Sequence, residues 1–258
     1  MRIITIAALF ASAAFGAVAG DPSPAQIDEI VAKFAAKEAE FAKARGNYTY
    51  RQTAKIQELD EGGSPRGKYE MVSDIVFSPE GKRTERVVRA PVSTLQNILL
   101  TPEDEQDLRD VQPFVLTTSQ IPLYTIRYLG RETLDEIPCY SFAVKPKKLE
   151  SGKRYFEGTV WVDDKDMQIV KSYGRGVGLI KKNSDNQFPK FETYRQQVDG
   201  KYWFPTYTIA NDTLNFQAGP QKIRMTVKYE DYKQFKSDTN IKYGDVDETQ
   251  KEPKKPQP

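Results

Sequence analysis

From Tyr48 onward the chain obeys a period of two. Tyr48, Tyr50, Gln52, Ala54 and Ile56 alternate with Thr49, Arg51, Thr53 and Lys55. That period belongs to a strand with one buried and one wet face. It returns at 68–77, 82–90, 123–134, 137–147, 154–163, 167–175, 190–199, 202–212 and 222–235. The clearest case sets Ile223, Met225, Val227 and Tyr229 against Arg224, Thr226, Lys228 and Glu230. Turn residues separate the runs: Gly62-Gly63-Ser64-Pro65, Ser78-Pro79-Glu80-Gly81, Asp163-Asp164-Lys165-Asp166 and, most strongly, Asp199-Gly200. Connections this short join antiparallel neighbours. Residues 183–189 read as a polar loop, and no internal repeat is found.

Two segments have helical spacing instead. Ile27, Ile30, Val31, Phe34, Ala35 and Phe41 form one apolar stripe over 24–44, which Glu38 interrupts. Ser23 suits the N-cap, Pro24 the first position and Gly46 the stop. Thr94 to Leu100 reads as a short apolar turn, and Thr101-Pro102-Glu103-Asp104 then starts a second helix running to about Val111, before Pro113. The fold class is therefore mainly β (α+β): an antiparallel sheet of about ten strands with two helical segments able to close over one face. A transmembrane barrel fits poorly, because Arg51–Lys55 and Lys82–Arg89 put charge where lipid would lie.

The ends read as processing and tail. Met1-Arg2, an uncharged run from Ile3 to Val18 and the small-residue pattern Ala17-Val18-Ala19 form an export signal, with cleavage expected near Ala19 or Gly20. The domains expected are a signal peptide at 1–20, one β domain at 21–243 and a disordered Lys/Pro-rich tail at 244–258. The destination is the periplasm.

Composition removes several functions. Histidine is absent, so Ser-His-Asp hydrolysis and His-built zinc sites are excluded. Lys plus Arg is 38 against 36 for Asp plus Glu, which gives no nucleic-acid footprint. A mean hydropathy of −0.63 argues against an integral helical membrane protein. Cys139 is the single cysteine and is expected to be a buried, inert thiol. Asp163, Asp164 and Asp166 read as a hairpin turn rather than a calcium loop. Gly174, Gly176 and Gly178 lack the spacing and following helix of a phosphate loop and read as a strand end with bulges or a gate. The paired acids, such as Asp104 with Glu105, do not make a glycosidase pattern. The expectation is a binding protein, not an enzyme, with no cofactor and no metal.

At this point a resemblance enters. Phe156-Glu157-Gly158-Thr159-Val160-Trp161-Val162-Asp163, followed by Gln168-Ile169-Val170-Lys171-Ser172-Tyr173, resembles the central hairpin of the outer-membrane lipoprotein-sorting (LolA-like, RseB-like) family. Lys201-Tyr202-Trp203-Phe204-Pro205 resembles a later strand of that family, and 223–235 its closing strand. The resemblance covers about residues 25–243. It implies a bent half-barrel whose concave face holds acyl chains beneath a helical lid. It also implies lipoprotein acyl chains or phospholipid as ligand and envelope proteins as further partners. Carriers of the family set a buried strand arginine against the lid; Arg51 and Arg127 are the candidates. The hydrophobic ligand residues expected are Trp161, Trp203, Tyr202, Phe204, Tyr140, Phe142, Ile126 and Tyr128, although a strand aromatic also serves as plain core.

Overall fold

The computed structural model describes residues 21–77, 82–179 and 187–234. Helix α1 spans Pro24–Arg45. Three strands follow: β1 (Tyr48–Leu59), β2 (Pro65–Phe77) and β3 (Arg83–Ser93). A short helix α2 (Pro102–Gln106) runs into a π-helical turn at Asp107–Val111. Seven more strands complete the chain: β4 (Tyr124–Leu134), β5 (Ile137–Pro146), β6 (Arg154–Asp163), β7 (Ile169–Gly178), β8 (Phe191–Val198), β9 (Tyr202–Phe216) and β10 (Gly219–Gln234).

All ten strands form one antiparallel sheet in the order β3-β2-β1-β10-β9-β8-β7-β6-β5-β4. β10 inserts beside β1, so the first three strands extend the sheet at one side and the rest follow as a meander. The sheet is open, with β3 and β4 at its edges. Yet a single core cluster contains Ile75 from β2, Val227 from β10 and Tyr124 from β4. Residues from opposite flanks reach one core only if the sheet bends around it, which is the half-barrel expected.

Local rules explain the elements. β1 is buried at every second residue from Tyr48 to Glu58, as its alternation requires. Asp199 and Gly200 both have positive φ, 54° and 66°, the backbone of a tight hairpin turn. Ser23 and Gln26 form a capping box on α1, and Thr101 and Asp104 form another on α2.

Several expectations change. The second helix is only one turn of α before the π-helical turn. Gly174, Gly176 and Gly178 lie in strand β7, which ends at Gly178, and its pairing with β6 shows no bulge at any of the three. Their smallness serves packing: a Cβ on Gly176 would overlap the Asp107 carboxylate. Cys139 is buried, and desolvation raises its thiol to about 12, so it stays protonated. The signal segment, the turn at 78–81, most of the loop at 183–189 and the tail lie outside the described residues.

Candidate functional site

Most of the concave face is filled. Phe34 of α1 meets Phe142 of β5 with ring centroids 5.4 Å apart, and Phe41 meets Phe204 edge-on at 5.0 Å. Between them Glu38, fully buried, reaches Arg195 of β8: Nη1 donates to Oε1 at 3.0 Å and to Oε2 at 3.2 Å. The Ile169 amide also donates to Glu38, at 3.1 Å. The other Arg195 nitrogen donates to the Phe114 carbonyl. One buried strand arginine thus ties α1 and the stretch that follows the second helical segment to the sheet.

Arg195 takes the place for which Arg51 and Arg127 were candidates. Arg51 faces the other way and bonds Asp74 at 3.0 Å, and Arg127 is exposed. The residues did carry a signal. Phe191, Thr193 and Arg195 share one strand face, and a charge inside a helix's apolar stripe, Glu38, demands a buried partner.

The second helical segment has its own link. Arg154 of β6 donates from Nε and Nη2 to the two Asp107 oxygens at 2.7 and 2.5 Å. Its guanidinium lies 3.8 Å from the centroid of Phe188. Burial pushes the Asp107 carboxyl up to about 6 against the pull of Arg154. Burial likewise raises Asp104, whose carboxylate accepts from the Thr101 amide and hydroxyl at 2.8 and 2.7 Å. The preceding loop is held by Glu58. Its carboxylate accepts from three successive amides: Gln96 at 2.9 Å, Asn97 at 2.6 Å and Ile98 at 2.7 Å.

Beneath this segment the filling stops. A slot opens between residues 98–112 and the sheet, lined by Ile56, Leu100, Leu108, Phe188, Phe191, Leu214, Phe216, Ile223 and Met225, with Asp104, Asp107 and Gln112 as its main polar groups. It encloses about 700 Å³, its open mouth included. Leu99 stands at the opening, 85% exposed.

None of the eight residues named from the sequence lines this slot. Phe142 and Tyr140 are buried core, with Ile126 and Tyr128 packed against it. Phe204 and Tyr202 belong to a smaller cluster with Phe41 and Tyr48. Trp161 alternates with buried Val160 and Val162, so it lies on the outer face, where its indole N–H donates to Glu132 at 2.9 Å. Trp203 flanks buried Phe204 in the same way and donates to Asp166 at 3.1 Å. The lining of the slot comes from the inward positions of β1, β8, β9 and β10, from residues 187–189 and from 98–112. The sequence expectation rested mainly on aromatic size, whereas this lining follows strand parity.

No family model matches the chain, and no curated protein matches it. Solved structures do. A DUF1329 family protein from Desulfovibrio piger covers 83% of this chain and 94% of its own, at 12% identity and a TM-score of 0.40. A LolA superfamily protein from Nitrosomonas europaea covers 81% and 93%, at 12% identity and 0.35. MucB covers 81% and 94%, at 13% identity and 0.28. Likeness at this level carries no functional argument; the geometry must do so. Among the described residues no helix is long and apolar enough to cross a membrane.

Proposed function

We propose that the chain is a periplasmic binder or carrier of acyl chains, from lipoproteins or lipids, and that it works by binding rather than catalysis. The observation that carries this reading is the apolar slot between sheet and lid. Its walls come from four strands, from residues 187–189 and from the segment at 98–112, and apolar hollows with few polar groups are where ligands bind. Its ionisable groups are already engaged: Asp107 with Arg154, Asp104 with Thr101. None is left as a free nucleophile or base.

The closed slot admits the end of a chain, and a whole acyl chain requires the segment at 94–112 to swing outward. That segment buries Leu108 and Val111 in the core, and discrete polar links fasten it, through Glu58, through Arg154 and through the Thr193 hydroxyl bonding the Gln112 carbonyl at 2.9 Å. Such links break one at a time without unfolding the sheet.

Native mass spectrometry with lipid extraction, on protein recovered from a periplasm, tests the reading. Stoichiometric phospholipid or lipopeptide supports it. A ligand-free mass that is unchanged after incubation with envelope lipids overturns it.

One observation favours a second reading, an envelope module that binds a protein partner. Edge strand β3 leaves Val87, Val88 and Val92 exposed, and an open edge can accept another strand. A photo-crosslinker at Val88 that captures no envelope protein in cells would end it.

A further inference from the structure

We infer that the inner end of the slot recognises a neutral hydroxyl borne on an apolar chain, and that Gln112 is the residue that reads it. The inference rests on the acyl-binding reading above and specifies its ligand.

Gln112 is 3% exposed and lines the slot. Its Oε1 is buried with no hydrogen-bond partner. Its Nε2 reaches only the Met225 sulfur, at 3.3 Å, and a thioether is a weak acceptor. Turning the amide end for end exchanges these two deficits and cures neither. Among the described residues four other side-chain atoms are buried and unpartnered, on Arg45, Ser73, Arg83 and Glu85, and none of those residues lines the slot. Buried polar atoms normally have partners, so an unpartnered one on a ligand-sized hollow points to the ligand.

Strand register places Gln112 at depth. Phe216 pairs with Gly219 at the β9–β10 turn, and Ile223 and then Met225 lie successively further into the sheet. Gln112 sits beside Met225. A chain entering from the Leu99 end therefore meets apolar walls first and the amide last.

The neighbouring charges select the group. A carboxylate pushed inward would face Asp104 and Asp107. A cation would lose its water for two carboxylates already engaged, Asp107 bidentate to Arg154 and Asp104 accepting from the Thr101 amide and hydroxyl. A hydroxyl is neutral, donates and accepts, and so satisfies the amide in either orientation. The anionic head of a fatty acid then stays at the mouth.

The test uses delipidated full-length protein and displacement of a fluorescent fatty acid. The competitors are stearate and a series of hydroxystearates with the hydroxyl at different carbons, including the terminal one. At least one position is expected to bind about tenfold more tightly than stearate, the range in which a satisfied buried polar group acts. In Gln112→Leu that gain should vanish, so that the hydroxystearate and stearate affinities converge. Gln112→Met repeats the comparison should the leucine variant fail to fold. If no hydroxylated position beats stearate, water fills the need and the inference falls. It falls too if the preference survives in the variants. If stearate itself does not bind, the acyl-binding reading fails first and takes this one with it.

Discussion

The two ends of the concave face solve one problem differently. Both hold a helical segment on the sheet, and both use a buried arginine–carboxylate pair. Beneath α1 the pair Glu38–Arg195 is surrounded by Phe41, Phe114 and the aromatic core, with side chains 0% and 3% exposed. Beneath 98–112 the pair Asp107–Arg154 borders an unfilled slot. The first end is a clasp inside a packed interior; the second is a clasp at a door. Packing density separates them, because a void offers fewer contacts to lose when its cover moves.

The comparison breaks most easily at the first clasp. Arg195→Met strands a buried Glu38 and the Phe114 carbonyl together, and should cost about 3–5 kcal/mol. Urea unfolding measures it. A loss below about 1 kcal/mol would mean that α1 does not depend on the pair and that the contrast drawn here is false.

At the second clasp Arg154→Met should cost less, about 2 kcal/mol, because Asp107 can take a proton instead of remaining a lone charge. It should also raise the rate of fatty-acid probe uptake, which Arg195→Met at matched stability should not. The pH dependence has a definite sign. Asp107 ionises near 3.8 when unfolded and at about 6 when folded. The folded state therefore holds the proton more tightly, so this residue's contribution is complete below about pH 4. It is lost as pH rises through about 6, by on the order of 3 kcal/mol. Asp107→Asn should flatten the stability profile across that window. Unchanged slopes in the two proteins would show that Asp107 titrates elsewhere.

A comparable effect belongs to Glu58, which anchors the rim. Glu58→Gln keeps the shape but removes the charge that three amides share, and should cost about 1.5–3 kcal/mol. Hydrogen exchange should rise at Gln96, Asn97 and Ile98 and remain unchanged along α1. Exchange that rises in both places would make the lid a single unit and erase the distinction between its ends.

What the sequence disclosed follows from the range of the interactions. Strand periods, the capping boxes at Ser23 and Thr101 and the Asp199-Gly200 turn are local, and each was legible. The partner of Glu38 lies 157 residues away on β8, and no spacing rule announces it. Glu38 stood out only as a flaw in an apolar stripe. The π-helical turn was hidden for the same reason. Asp107, which begins the turn, pairs with Arg154, 47 residues on. The slot was the least legible feature, since a void is defined by what fails to reach it. Ile56, Ile223 and Met225 alternate like any core residues, and nothing in their types says that the helix above stops short.

The outer face gives the smallest effect and the sharpest check on parity. Trp161 and Trp203 are the largest side chains of the chain, and both point away from the interior. Each is fixed by one carboxylate, and the Lys171 ammonium lies 5.2 Å from the Trp161 ring and 4.9 Å from Tyr194. Trp161→Phe removes a single exposed hydrogen bond and part of a cation–π contact, worth together about 0.5–1 kcal/mol. Neither Trp161→Phe nor Trp203→Phe should alter fatty-acid affinity, whereas Met225→Ala in the slot should change it severalfold. A loss of affinity in either tryptophan variant would mean that the acyl chain lies on the outer face, and that size rather than strand parity was the better guide to the site.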